Sequence, residues 1–262
     1  MTATETHIST SDERSITVRG KDLVQDLIGR VSYTEMVYLL IQERLPTRAE
    51  TAVLDACLVA LAEHGLTLNT LVARFVTSAV PDQTQVAMGA SLMTVGDTFV
   101  GTMEGCARIL QDGVRSGGDA RAYCAEVVAR YRSEKRAVPG FGHRFHKPDD
   151  PRSPRLLQVA REAGCKGEFI DLLNVLAGEV DRACGRHLTI NATGAIAALL
   201  SEIGFEADVM RGLAVVSRSG GLVAHINEER KSRSARLIES LAKEHVIYSD
   251  PGAEGTQPDT DR

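Results

Sequence analysis

Val138-Pro139-Gly140-Phe141-Gly142-His143-Arg144-Phe145-His146-Lys147, followed by Asp150-Pro151-Arg152, is the run in this chain that is hardest to explain as ordinary packing. A proline and two glycines within five residues rule out a helix interior, because proline lacks the amide donor and fixes φ while glycine raises the entropic cost of ordering. The run is therefore a loop. It ends on His143, a side chain whose ordinary pKa of about 6.5 lets it give or take a proton near neutrality. Nine residues on sits Arg152, a planar, permanently charged fork that matches a carboxylate. Together they point to a site for an acidic carbonyl compound.

The rest of the composition narrows the class. At 262 residues the chain has room for a substantial core in one or two domains. It has no Trp and only 4% aromatic residues, and Ala, Leu, Val and Arg are abundant, which favours helix over a strand-rich sandwich. The formal charge is −5, with basic and acidic residues interspersed and no basic-aromatic interleaving, so nucleic acid is not an expected partner. An anionic substrate would need a local basic pocket. Cys57, Cys106, Cys124, Cys165 and Cys184 are odd in number and widely spaced, which argues against a disulfide framework and a structural zinc. There is no metal-ligand spacing, no P-loop and no Gly-x-Gly-x-x-Gly after a strand, so metal, ATP and nicotinamide are not implied. The first residues lack a basic and then apolar leader pattern, and no apolar run is long enough for a membrane span, so the cytoplasm is the expected location.

Read in order, the chain is a succession of helices. Residues 1–14 are polar and acidic and read as a disordered tail. An extended piece, Ile16 to Leu23, turns at Gly20. Ser32-Tyr33-Thr34-Glu35 and Thr47-Arg48-Ala49-Glu50 have the form of capping boxes, each opening a helix with an apolar face. Ala87, Gly89, Ala90, Ser91, Gly96, Gly101, Gly105 and Ala107 predict a central pair of closely packed helices broken near Gly101. Further helices are expected over 117–135, after Arg152, over 168–185 and from Leu188-Thr189-Ile190-Asn191-Ala192-Thr193-Gly194 onward. Asn227 to Ala242 reads as a charged amphipathic helix, and 249–262 as a second disordered tail.

The 139–152 run resembles the signature of the citrate synthase superfamily, Pro-Gly-(Phe/Tyr/Ile)-Gly-His, a short spacer and Asp-Pro-Arg. The resemblance extends over roughly residues 16–245. It implies an all-α fold, with a large helical domain from 15–137 and 186–248 and a smaller mobile helical domain from 138–185 that closes over the substrate. It places His143 on the carbonyl of oxaloacetate or the hydroxyl of citryl-CoA, as acceptor of the hydroxyl proton in cleavage, and Arg152 on a carboxylate. His64, followed by Leu68-Asn69-Thr70-Leu71-Val72-Ala73-Arg74, corresponds to a histidine that contacts the keto-acid carboxylate. Arg218, in Val216-Ser217-Arg218-Ser219-Gly220-Gly221-Leu222-Val223-Ala224-His225, corresponds to an arginine on a terminal carboxylate, and His225 reads as structural. Coenzyme A would enter as a thioester substrate, with no tightly bound cofactor. Its cradle would be Val138, Gly140 and Phe141, with Arg144 and Lys147 available to its phosphates. A homodimer is implied, with Arg230, Arg233 or Arg236 reaching the partner's site.

Two positions depart from the pattern. Where the family has Gly-Pro-Leu-His-Gly-Gly-Ala, this chain has Gly101-Thr102-Met103-Glu104-Gly105-Cys106-Ala107, so Glu104 replaces a catalytic histidine. Where it has Leu-x-Pro-Asn-Val-Asp, Asn191 is kept and Thr193 replaces the catalytic aspartate. A carboxylic acid donates a hydrogen bond only when protonated and acts toward carbon as a base when ionised, so Glu104 is expected to serve as acid/base on the enol side. The compact length is closest to the citryl-CoA lyase module of ATP-citrate lyase. The expected activity is carbon–carbon cleavage or synthesis on citryl-CoA or a related 3-hydroxy-3-carboxyacyl-CoA. The alternatives are a non-catalytic homologue that binds citrate or coenzyme A, and a structural subunit.

Overall fold

Both capping boxes form, and they set the start of the molecule. In the computed structural model, which describes residues 4–96 and 100–250, Ser32 Oγ accepts from the Glu35 amide at 3.2 Å while Glu35 Oε2 accepts from the Ser32 amide at 2.6 Å. This starts helix α1, Tyr33–Gln42. Thr47 and Glu50 repeat the arrangement to start α2, Arg48–Ala62. Each reciprocal pair satisfies two of the amides that a helix start leaves without partners.

Ahead of α1 lies a small antiparallel sheet, β1 (Ser9–Ser11), β2 (Ile16–Val18) and β3 (Lys21–Asp22). Ser9–Ser11 fall in the stretch expected to be a tail, yet they pair with β2 in the register Ser9 to Val18. The reason is local: Asp12 Oδ1 accepts from the amides of Arg14 and Ser15 and closes the turn. The other hairpin turns on Arg19 and Gly20, both at positive φ, and the Arg19 side chain donates to the Leu40 carbonyl at the end of α1. The expected tail at 249–262 falls, from residue 251 on, outside the described residues.

The helices form two compact units. The first holds the chain up to His64 and Val95–Arg218, with α5 (Thr102–Ser116), α6 (Ala120–Ser133), α7 (Arg152–Glu162), α8 (Glu168–Cys184), α9 (Ala192–Glu202) and part of α10 (Ala207–Ser232). At its centre is α9. Ala195, Ile196, Ala197, Ala198, Leu199 and Leu200 are all buried, and a helix apolar on every side has to be surrounded. It packs against α2, α5, α7 and α8. Residues 138–185, which the resemblance sets apart as a smaller domain, pack here through α7 and α8 against α2, α5, α6 and α9.

The second unit holds Gly65–Thr94 and the chain from Ser219, with α3 (Leu68–Ala79), α4 (Thr84–Leu92), the remainder of α10 and α11 (Ser234–His245). Ala73, Ala87, Leu222 and Ile226 form its centre. Arg74 ties it together, donating to His225 Nδ1 at 3.0 Å, to Ser234 Oγ at 2.9 Å and to Glu229 at 3.3 Å. The small residues of 85–110 therefore serve two different partnerships: α4 packs on α3, and α5 packs on α9. The glycine in α5 has its own reason, since a Cβ on Gly105 would lie 3.1 Å from the ring of Pro139.

The start of α9 is pressed directly onto the Pro-Gly-Phe-Gly loop. The Asn191 amide donates to the Gly140 carbonyl at 3.0 Å, and the Gly142 amide to the Thr189 carbonyl at 2.8 Å. Gly140 sits at φ +91°, and Gly194 faces it so closely that an added Cβ would lie 2.4 Å from the Gly140 carbonyl oxygen. Gly194→Ala is expected to cost about 2 kcal/mol of stability through this backbone clash, read as a lowered urea midpoint.

Candidate active site

The loop turns at two left-handed glycines, Gly140 and Gly142, and then presents His143. The ring is fixed from behind: His143 Nδ1 accepts from the amides of Phe145 at 3.1 Å and His146 at 3.0 Å. In the neutral imidazole one nitrogen holds the hydrogen and the other the lone pair. With the lone pair spent on two backbone donors, the hydrogen of His143 is on Nε2.

Two more imidazoles stand beside it. His64, just beyond the end of α2, lies with its ring centroid 5.7 Å from that of His143 in a near edge-on arrangement. His146 stacks at a tilt over His143 with centroids 4.3 Å apart, and its Nε2 is 3.1 Å from Nε2 of His64. Burial lowers the pKa of His64, and the charges of Arg152, His143, His146 and Arg218 lower it further. Burial also lowers the pKa of His143, helped by His146 and Arg152 and opposed by Asp150. Ring nitrogens of the three histidines lie within 4.8 Å of one another. With two guanidinium groups acting on the cluster and His143 Nδ1 occupied by the backbone, the site favours an anion over a metal cation.

Arg152 is the first residue of α7 and is aimed by Asp150. The Asp150 carboxylate is fully buried and accepts from Arg152 Nε at 2.9 Å, from Arg152 Nη2 at 2.8 Å and from the Ala192 amide at 3.0 Å. Burial pushes this carboxyl up, but the Arg152 and backbone hydrogen bonds outweigh it and hold it at about 2. Arg218 is the other fixed cation. Its Nη1 is buried and makes no hydrogen bond among the described residues. Burial depresses the basicity of this guanidinium, with Arg152 acting in the same direction and Glu63 against it. A buried guanidinium nitrogen without a partner is costly, and a ligand carboxylate is its natural complement.

The replaced positions lie on the other flank of the loop. Glu104, buried in the first turn of α5, accepts from Arg211 Nη2 at 2.6 Å. Thr193 donates to Asn191 Oδ1 at 2.7 Å and stands 3.0 Å from Thr102 Oγ1, while Asn191 Nδ2 donates to the Gly142 carbonyl at 2.9 Å. Asn191 also caps α9 through the Gly194 amide. A cavity of about 560 Å³ opens beside Glu104 and Arg211, with Val138, Gly140 and Phe141 in its wall. Its remaining cations are Arg108, Arg130 and Arg136, with Tyr131 between the last two, 5.9 Å and 5.0 Å from their guanidinium carbons. Arg144 and Lys147 are exposed and outside this lining; Arg144 lies over the Phe145 ring.

His64, His143, Arg152 and Arg218 thus belong to one unit and act on one another, and Glu104, Asn191, Thr193 and the Val138–Phe141 wall belong to the same unit. In the second unit, Arg230 donates to the Pro81 carbonyl and Thr84, Arg233 is left-handed between α10 and α11, and Arg236 is exposed. Sequence reasoning passed over His146, Asp150, Arg211 and the three cavity arginines. Asp150 had a signal, its place two residues before Arg152. Arg211 had none, being 107 residues from Glu104.

Comparison with known proteins places the architecture. Residues 49–240 match the family described as citrate synthase, C-terminal domain. The chain belongs to the citrate synthase family. It is 27% identical over 207 residues to a citrate synthase of Acidithiobacillus ferridurans, which covers 76% of this chain and 52% of that protein. The chain spans about half the length of the curated relatives it matches. The structure of citryl-CoA lyase from Hydrogenobacter thermophilus superposes with a TM-score of 0.84 and 31% identity, covering 97% of each chain. ATP citrate lyase from Methanosaeta concilii, as a D541A mutant in complex with (3S)-citryl-CoA, shares the fold at a TM-score of 0.79 and 21% identity, over 97% of this chain and 43% of that one.

Because the folded-state value of Asp150 lies below the ordinary carboxyl value, its contribution is complete above about pH 4 and is lost as pH falls toward 2. Asp150→Asn is expected to cost about 2 kcal/mol at pH 7 and to flatten the loss of stability between pH 4 and 2, measured by urea unfolding across that range.

Proposed function

We propose that the protein is a carbon–carbon lyase or synthase of the citryl-CoA lyase type, acting on citryl-CoA or a related 3-hydroxy-3-carboxyacyl-CoA and giving an acyl-CoA with oxaloacetate or another 2-keto acid. The observation that carries this reading is the buried nitrogen of Arg218 that has no partner among the described residues, in the same unit as Arg152 and two imidazoles of lowered pKa, where a dicarboxylate fragment is the fitting complement. The match over 97% of both chains to a citryl-CoA lyase supports it.

In this reading Arg152, Arg218 and His64 hold the carboxylates, and His143 Nε2–H donates to the oxygen that alternates between hydroxyl and carbonyl. A fixed donor aimed where negative charge develops lowers the barrier on that side. Glu104 handles the proton at the acyl α-carbon, taking it in condensation and returning it in cleavage, while Asn191 and Thr193 hold the loop against α9. The thioester is a substrate, not a resident cofactor. Its pantetheine runs along Val138, Gly140 and Phe141, and its phosphates meet Arg108, Arg130 and Arg136, with exposed Arg144 and Lys147 also open to them. Residues 138–185 form the part that closes over the substrate and excludes water. The working form is a cytoplasmic homodimer, with one of Arg230, Arg233 and Arg236 reaching the partner's site. No described helix is long and apolar enough to cross a membrane.

One observation favours a second reading. Glu104 is bonded to Arg211 and Thr193 to Asn191, so both replaced positions are engaged within the fold. That would suit a homologue that binds citrate or coenzyme A without turnover. A coupled assay with (3S)-citryl-CoA separates the two. The expected result is release of acetyl-CoA and oxaloacetate, lowered roughly 10³-fold in His143→Ala and about 10²-fold in Glu104→Gln, with unchanged circular dichroism. Citrate binding by calorimetry with no turnover would establish the second reading instead.

A further inference from the structure

A thioester enolate carries its negative charge on oxygen, and the barrier falls when a fixed hydrogen-bond donor meets that oxygen as the charge develops. Glu104, bonded to a guanidinium, is a carboxylate, and a carboxylate only accepts. The hydroxyl of Thr102, in the same cavity wall, is committed elsewhere. Thr193 gives its hydrogen to Asn191 Oδ1, so in the 3.0 Å contact between Thr193 and Thr102 it is Thr102 that donates. The side-chain amide of Asn191 goes to the Gly142 carbonyl. A proton can be handled at Glu104, but the charge on oxygen has to be met by another group.

We propose that Arg211 is that group: its guanidinium donates to the thioester oxygen of the acyl-CoA and holds the enolate while Glu104 moves the proton at the α-carbon. Arg211, near the start of α10, lines the same cavity as Glu104, Thr102 and Gly105 at the start of α5. Its Nη2 lies 2.6 Å from Glu104 Oε2, so the base has a permanently charged donor in direct contact. A guanidinium carries several N–H donors in a planar fork and can serve a carboxylate and a second oxygen together. The Arg211 side chain is 33% exposed and that of Glu104 12%, so the arginine is the more accessible member of the pair. Arg108, the other guanidinium of the cavity wall on α5, is paired with Asp208, and both of those residues are exposed.

Charge is conserved around the pair throughout the reaction. In condensation the α-carbon proton moves to Glu104, the C–H electron pair becomes the carbon–carbon double bond of the enolate, and the carbonyl π pair moves onto the thioester oxygen. The single negative charge beside Arg211 thus passes from the carboxylate to that oxygen, while the guanidinium stays charged. Its bond to Glu104 weakens on protonation as the new charged acceptor forms. The enolate carbon then bonds to the keto carbon, whose oxygen takes its proton from His143. Cleavage reverses these steps: the hydroxyl proton goes to His143, the carbon–carbon pair becomes the enolate held by Arg211, and the proton of Glu104 goes to the α-carbon. His64, Arg152 and Arg218 stay on the carboxylates.

This role for Arg211 rests on the lyase reading, and the test keeps the two apart. Removing Arg211 alone would strip the buried Glu104 carboxylate of this partner, so the comparison is made where no carboxylate remains. Glu104→Gln is set against the double variant Glu104→Gln/Arg211→Gln, both checked for folding by circular dichroism. With (3S)-citryl-CoA, the double variant is expected to have a kcat about 10²-fold below that of Glu104→Gln, with KM within about threefold. Arg211→Met in the Glu104→Gln background covers the case in which the glutamine pair does not fold. An arginine that only positions Glu104 has nothing to position in this background. Equal kcat values, in a protein whose wild type turns over citryl-CoA, therefore overturn the inference and leave the lyase reading intact. A loss confined to KM also overturns it, because it reports equal binding of substrate and transition state. A wild-type protein that does not turn over citryl-CoA removes both.

Discussion

A single buried carboxylate, Asp150, holds the geometry of the site together. It receives both arms of the Arg152 fork and the backbone amide of Ala192, so one side chain fixes the Arg152 cation, the start of α7 and the start of α9. Its own amide donates to Thr189 Oγ1, which brings in the segment that pairs with the glycine loop. An ionised group placed away from water is tolerated only when fully bonded, and here each bond also positions something the site needs. The loop that carries His143 is thus bonded to the segment that opens α9.

The two flanks of that loop differ in what they keep of the family pattern. On one flank the cations Arg152 and Arg218 and the imidazoles His64 and His143 are present, and burial with neighbouring charge lowers the pKa of both imidazoles. On the other flank a glutamate with an arginine partner stands where a histidine is expected, and a threonine bonded to an asparagine stands where an aspartate is expected.

What could be read in advance follows from range. Ser32 with Glu35 and Thr47 with Glu50 are contacts within four residues, and both caps were legible. The Pro139–Gly142 turn was legible because proline and glycine restrict the backbone locally. The small residues between 85 and 110 predicted close packing but not its partners, because side-chain size says that something approaches and not what; Gly105 meets Pro139, and Gly194 meets Gly140. Ser9–Ser11 is too short and polar to read as a strand on its own, and its pairing depends on a turn closed by Asp12. The Glu104–Arg211 pair and the arginines around the cavity come together only when α5, α6 and α10 are assembled. His146 lay in plain view, but motif reading treats the residues between fixed positions as filler.

Arg218 has a consequence for the empty protein. A guanidinium nitrogen that is out of water and unbonded among the described residues is a debt carried by the folded state, of the order of 1–3 kcal/mol. The charge of Glu63 already favours the charged form of this group, yet that nitrogen takes no hydrogen bond among the described residues. An anion that bonded this nitrogen in the folded chain and not in the unfolded one would stabilise the fold by its own binding, so that occupancy and stability would rise and fall together.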